Sequence, residues 1–223
     1  MRILILKMGT TEPVVVERFG DYDDWFRVVF EGLGCEVEVL PVFAGAPLPD
    51  SLDADALVLT GSPLSVRDEE SWMAEVGQWT LEHVRQCVPV LAICFGHQLI
   101  GECLGSRVEE NPKGPEWGSI SVKVAEDPLF RGLPSIVSVQ ASHRDVLTQL
   151  PEGACLLASN ANTEIQAYGW GEYLRAIQFH PEASAEVIGA LLSARGLPGA
   201  ISESDHGVQI LSNWVAHWVQ ASR

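Results

Sequence analysis

The stretch Val88-Pro-Val-Leu-Ala-Ile-Cys94-Phe-Gly-His-Gln98-Leu-Ile100 decides how the chain is read. An apolar run rich in β-branched residues stops at Cys94, Gly96 follows, and His97 to Leu104 has a helical pattern. Strand, tight turn and helix, with a nucleophile candidate on the turn, is the layout of a nucleophile elbow with sulfur in place of a hydroxyl. The turn thrusts the thiol out of the sheet. The helix N-terminus beside it offers unpaired N–H groups and a positive dipole end, which favour thiolate over thiol. A buried structural cysteine at a strand end explains these residues equally well, since free cysteine is among the most buried residue types. The rest of the chain decides between the two.

Upstream, Arg2 to Lys7 is a buried strand, and Asp21 caps a helix whose apolar positions Trp25, Phe26, Val29, Phe30 and Leu33 end at Gly34. Glu36 to Val42 alternates as a second strand, and Ala56 to Thr60 is a third, stopping at Gly61-Ser-Pro63. Glu69 to Gln86 reads as an amphipathic helix with Trp72, Val76, Trp79 and His83 on one stripe. Strands alternating with helices predict an α/β fold, a mainly parallel sheet covered on both faces. Downstream the texture changes to short β runs between Gly, Pro and Asn turns: Ile120–Val124, Ile136–Gln140, Ala154–Ala158, Glu164–Tyr168 and Leu174–Phe179. These predict hairpin-type antiparallel structure appended to the sheet. Two helices close the chain, Glu182–Ala194 and roughly Asp205–Gln220. With no repeat and no linker, residues 1–223 read as one domain.

Composition excludes several function classes. The formal net charge is −16, from 30 acidic and 14 basic residues, a balance that repels nucleic acid and anionic lipid. No apolar run approaches a membrane span, and Met1 to Lys7 is too short for a signal peptide. Cys35, Cys87, Cys94, Cys103 and Cys155 are odd in number and lack metal-ligand spacing, which predicts free thiols, a cytoplasmic location and no zinc site.

An elbow cysteine needs a base, an orienter for that base and donors for an oxyanion. Of six histidines, His83, His206 and His217 lie in predicted helices and read as surface or half-buried, and His97 reads as packed within the elbow helix. His180 differs: it ends the strand Leu174–Phe179 and precedes Pro181-Glu182. Residues two apart in extended chain share a face, so Glu182 can hold one ring nitrogen while the other faces the thiol. Gly61 and Phe95 are candidates for the oxyanion N–H groups.

The motifs Thr60-Gly-Ser-Pro63, Ile93-Cys-Phe-Gly-His-Gln98, Ser142-His-Arg-Asp145 and Gln178-Phe-His-Pro-Glu182 occur in that order. Over about Arg2 to Leu192 the chain resembles the class I, triad-type glutamine amidotransferase domains, in particular the glutaminase portion of GMP synthetase and its free-standing relatives. The resemblance implies a flavodoxin-like α/β fold and hydrolysis of the glutamine side-chain amide. It also implies Cys94 as nucleophile, His180 as base and acid, and Glu182 as orienter. Gly61 and Phe95 would hold the oxyanion, and Gln98 with the backbone of Arg144-Asp145 would hold glutamine. Two positions depart from the common pattern: Ala92 stands where the elbow usually begins with glycine, and Ser62 where a second glycine is common. Neither removes a catalytic group.

The chemistry so predicted needs no metal or organic cofactor. The substrate is glutamine or another γ-glutamyl compound, and a separate ammonia-accepting synthetase subunit is the candidate partner. The alternatives are a γ-glutamyl peptide hydrolase and a silent regulatory module on the same scaffold. A related peptidase branch places histidine directly after the cysteine, where this chain has Phe95.

Overall fold

A computed structural model describes residues 1–220. Five parallel strands form one half of its sheet: β1 (Arg2–Lys7), β2 (Glu36–Pro41), β3 (Ala56–Leu59), β4 (Val90–Ile93) and, from the far end of the chain, β11 (Leu174–Ile177). Six short strands lie between β4 and β11 in sequence: β5 (Val108–Glu110), β6 (Glu116–Val124), β7 (Ile136–His143), β8 (Asp145–Leu147), β9 (Ala154–Ser159) and β10 (Ala167–Trp170). Four of them extend the same sheet antiparallel, giving the order β2-β1-β3-β4-β11-β10-β9-β6-β7, while β5 and β8 pair separately. The sheet is mixed, with its parallel half made of the strands expected and its antiparallel half a direct continuation.

The helices are α1 (Pro13–Phe19), α2 (Tyr22–Gly32), α3 (Ser71–Arg85), α4 (Phe95–Cys103), α5 (Ala185–Arg195) and α6 (His206–Trp214), the last running into a wider turn at Val215–Val219. They cover both faces of the sheet. Ile3 and Ile5 of β1 pack on one face with Phe26, Phe30 and Trp214 of α2 and α6. Leu4 and Leu6 pack on the other with Met73, Val76 and Leu99 of α3 and α4. That alternation is why a parallel strand reads as continuously apolar. The rings of Phe26, Phe30 and Trp214 interlock at centroid distances of 5.7 and 5.9 Å. Truncating such a fully buried aromatic costs about 3–5 kcal/mol.

Local rules account for most boundaries. Asp21 caps α2 in a capping box with Asp24 and also pairs with Lys7, 2.7 Å away. Three expectations shift. The buried face of α3 is Met73, Val76, Thr80 and Val84, with Trp72 and Trp79 on its shoulders, and His83 is buried, its Nδ1 2.8 Å from the Trp79 carbonyl oxygen. The strand expected at Glu164–Tyr168 is β10, three residues later. Glu182 lies outside α5, which starts at Ala185 behind its Ser184 cap and leaves Pro181–Ala183 as a connecting turn. No helix among the described residues is long and apolar enough to cross a membrane.

Candidate active site

The parallel pair β4–β11 places the two principal groups. Ile93 lies opposite Ile177, and the Cys94 N–H continues the ladder to the Ile177 carbonyl at 2.7 Å. Cys94 then turns sharply, with φ 50° and ψ −100°, a conformation that non-glycine residues adopt only where the surroundings enforce it. The enforcement comes from both sides: the Ile177 ladder bond holds the strand end, and the Gly96 N–H reaches the Thr60 carbonyl at 3.3 Å. A Cβ on Gly96 would stand 2.7 Å from the Leu59 Cβ, so the cysteine's second neighbour must be glycine for α4 to cross β3. Ala92 is fully buried between Leu59 and Ala176 without disturbing the ladder, so alanine there is compatible with the elbow.

Past β11, the extended run Gln178-Phe-His180 keeps alternating. Phe179 points into the core, and Gln178 and His180 face the cysteine. Gln178 Nε2 lies 3.7 Å from Cys94 Sγ. The His180 backbone is fixed by its N–H to the Gln140 carbonyl at 2.8 Å, and its Nδ1 by Glu182 Oε1 at 2.7 Å. A carboxylate only accepts, so Nδ1 donates and Nε2 is left for the sulfur. Burial alone would lower the His180 pKa. The Glu182 carboxylate and the neighbouring Cys94 outweigh it and raise it to about 10, so the ring carries a proton at neutral pH. Tyr22 stacks on this ring at 6.2 Å. His97, by contrast, is fully buried beside Tyr168, and burial pushes it down to about 3; it is packed and neutral, as its place in the elbow helix predicts.

Gly61 sits between the two groups. A Cβ there would be 2.7 Å from His180 Cε1 and 3.6 Å from the Cys94 Cβ. Among the described residues no acceptor takes the Gly61 or the Phe95 N–H, so both donors remain available beside the thiol. A cleft of about 300 Å³ opens here, lined by Ser62, Cys94, Phe95, Gln98, Arg144 and Asp145 among others. A larger hollow, about 510 Å³ beneath Val124–Ser135, has neither histidine nor cysteine in its wall.

Gln98 serves partly within the wall: its Nε2 donates to the Asp145 carbonyl at 2.8 Å and to Gln178 Oε1 at 3.1 Å. Asp145 is clamped by Ser65 Oγ at 2.6 Å and by Arg67 through two contacts of 3.2 Å. Burial would raise its carboxyl pKa, but Ser65 and Arg67 hold it below the usual range. Arg144 projects outward, with about half its side chain exposed. Behind this wall Glu116 accepts from Asn160, Thr163 and Gln166 at 2.5–2.7 Å, with His143 Nε2 3.2 Å away but off the hydrogen-bond direction. The cluster braces the β6–β7 end that carries Ser142 to Asp145. Among the described residues no group of His, Cys, Asp and Glu has the arrangement of a metal site.

The sequence reading missed Gln178, Tyr22 and Arg195 at this cleft. Gln178 was within reach of the same alternation that joins His180 to Glu182. Tyr22 and Arg195 arrive from distant helices and had no local signal.

A family model described as class-I glutamine amidotransferase matches residues 15–197. Gamma-glutamyl peptidase 3 of Arabidopsis thaliana is 33% identical over 197 residues, covering 82% of this chain and 78% of that protein. A free-standing piece of the glutamine-hydrolyzing GMP synthase of Saccharolobus solfataricus is 32% identical over 165 residues, 73% of this chain and 85% of that protein. Of a full GMP synthase such as that of Chlorobaculum tepidum, the chain spans only 36% of the length. Among solved structures, a glutamine amidotransferase from Methylobacillus flagellatus superposes with a TM-score of 0.79 at 20% identity, covering 96% of this chain and 94% of the other, which shows a common fold.

Proposed function

The chain belongs to the class-I glutamine amidotransferase family, and on that premise we propose that it cleaves the γ-glutamyl amide of glutamine or a related compound through a thioester on Cys94. One observation carries the reading: an imidazole tied to Glu182 at 2.7 Å stands across Gly61 from an elbow cysteine. Cys94 Sγ attacks the γ-carbonyl carbon, and the Gly61 and Phe95 N–H groups receive the oxyanion. The C–N bond breaks as His180 delivers its proton to the departing nitrogen, which leaves as ammonia or an amine. Water then adds to the thioester while His180 takes its proton, and collapse releases glutamate and the cysteine. Glu182 orients the ring and stabilises the imidazolium. Gln98 and the Arg144-Asp145 backbone hold the glutamyl half. Residues 1–223 act as one domain in this reading, supported by a single sheet that takes strands from β1 to β11.

The match to the GMP synthase of Saccharolobus solfataricus favours a second reading, in which the ammonia passes to a separate synthetase. The test is product release by the purified chain: ammonia from glutamine, and glutamate from γ-glutamyl dipeptides, with and without a candidate synthetase. Steady turnover by the chain alone supports the hydrolase. Turnover that rises sharply only with the synthetase supports the ammonia-supplying role. No release from any γ-glutamyl compound under either condition overturns both.

A further inference from the structure

Arg195 ends α5 and lines the cleft, yet the chemistry above leaves it without a task. Its Nε lies 3.1 Å from Glu12 Oε1, which fixes the plane of the guanidinium. Its Nη2 is closed off from water and has no acceptor. A guanidinium is always charged and donor-only, and a buried donor without an acceptor is unfavourable, so this nitrogen is suited to an anion that comes and goes. Glu12 meets one side of the fork and leaves the other open.

The place of this cation decides which anion. Arg195 bears electrostatically on the Tyr22 hydroxyl, and the Tyr22 ring stacks on His180. It therefore stands on the His180 side of the thiol, whereas Gln98, Arg144 and Asp145 gather around α4 and β8 on the other. His180 hands its proton to the departing nitrogen, so its side of the sulfur receives the leaving group. We propose that Arg195 recognises a carboxylate carried by the leaving amine, which makes a γ-glutamyl amino acid or short γ-glutamyl peptide the preferred substrate. Ammonia, the leaving group of glutamine, carries no such group. The inference rests on thioester chemistry at Cys94 and adds the substrate class to it. Trp117 and Leu197, also in the cleft wall, offer apolar surface to the residue that leaves.

The test compares γ-glutamyl-alanine with the same dipeptide closed as a C-terminal amide, following glutamate release by the full chain. An anion held by a charged hydrogen bond predicts that the wild type favours the free acid by about 10- to 100-fold in kcat/KM. In Arg195→Gln the preference falls to near one, mainly through KM for the acid, and Arg195→Lys keeps part of it. Melting curves of the variants separate loss of recognition from loss of fold; a misfolded Arg195→Gln leaves Arg195→Lys and the wild-type ratio to decide. A wild type indifferent to the amide, or an acid preference that survives Arg195→Gln, overturns the proposal. So does a KM rise for glutamine with the acid preference intact, which would assign Arg195 to the glutamyl carboxylate. A wild type that hydrolyses glutamine but no γ-glutamyl dipeptide sinks this inference and leaves the function standing, whereas one that hydrolyses neither sinks both.

Discussion

Replacing Gly61 by alanine tests whether the imidazole is held where catalysis needs it. Gly61 does not have a left-handed φ, so alanine can adopt its backbone and the penalty is steric. The new methyl would lie 2.7 Å from His180 Cε1, and ordinary contact begins near 3.4 Å, so the ring must retreat by about 0.7 Å. It has little freedom to do so, because its backbone is bonded to Gln140 and its Nδ1 to Glu182. Cys94, 3.6 Å from the methyl, is touched but not displaced. A misplacement of about 1 Å can cost about 100-fold in rate, so a fall in kcat of about 10- to 100-fold is expected, or about 1.4–2.7 kcal/mol of barrier. Overpacking of this kind costs about 1–3 kcal/mol of stability, which lowers the melting temperature of a chain this size by about 2–10 °C. The assay is initial glutamate release at saturating substrate, beside a melting curve. Gly32→Ala is the control, since a Cβ there meets nothing within 4 Å. A folded Gly61→Ala enzyme with wild-type kcat would refute the assignment of His180 as the proton carrier.

Cys94→Ala should abolish turnover with little change in melting temperature, while brief alkylation by an electrophilic glutamine analogue should label Cys94 ahead of Cys35, Cys87, Cys103 and Cys155; even labelling read by mass spectrometry would count against an activated site. His180 is raised to about 10 from an ordinary value near 6.5, so its protonated form stabilises the fold fully below about pH 6.5 and ceases to do so as pH rises through about 10. Glu182→Gln should therefore be less stable than wild type near pH 6, with the gap closing towards pH 10.5, and should lose less activity than His180→Ala; a gap that does not change with pH would contradict this. Asp145→Asn, which loses the charge held by Arg67 and Ser65, should raise KM about tenfold with kcat little changed, because that clamp steadies the carbonyl on which Gln98 hangs. An unchanged KM would show that the wall does not depend on it.

What the sequence disclosed and what it hid divide along a physical line. The parallel strands, the Asp21 cap and the elbow were legible because each follows from residues within a few positions of one another. Gln178-Phe-His-Pro-Glu182 was legible because extended chain alternates. Missed elements depend on distant partners. Pro13–Phe19 contains Val14, Val15 and Val16, a strand-like run, yet it forms α1 because Pro13 starts a helix and Val15 packs against α5. β5 and β8 are three residues each and exist only through one another. Arg175, in a strand read as apolar, is buried because Asp127 meets it at 3.0 Å and the Trp218 ring lies 4.6 Å below. Nor could spacing bring Arg195 of α5 to a cleft built on β4 and β11.

The β4–β11 ladder has a consequence for how the protein becomes active during its synthesis. Cys94 and Gln178 are in contact across 84 residues of chain. A growing polypeptide therefore carries its nucleophile long before the base has been made, and no local segment assembles the pair. Non-local pairings of this separation close only with the cooperative formation of the sheet. The register must also be right, because a slip of one residue would present Phe179 to the thiol in place of His180. The cysteine is thus without its base on nascent and partly folded chains, and gains it when the last central strand docks. Reaction of Cys94 with a substrate analogue would then serve as a clock for completion of the native sheet.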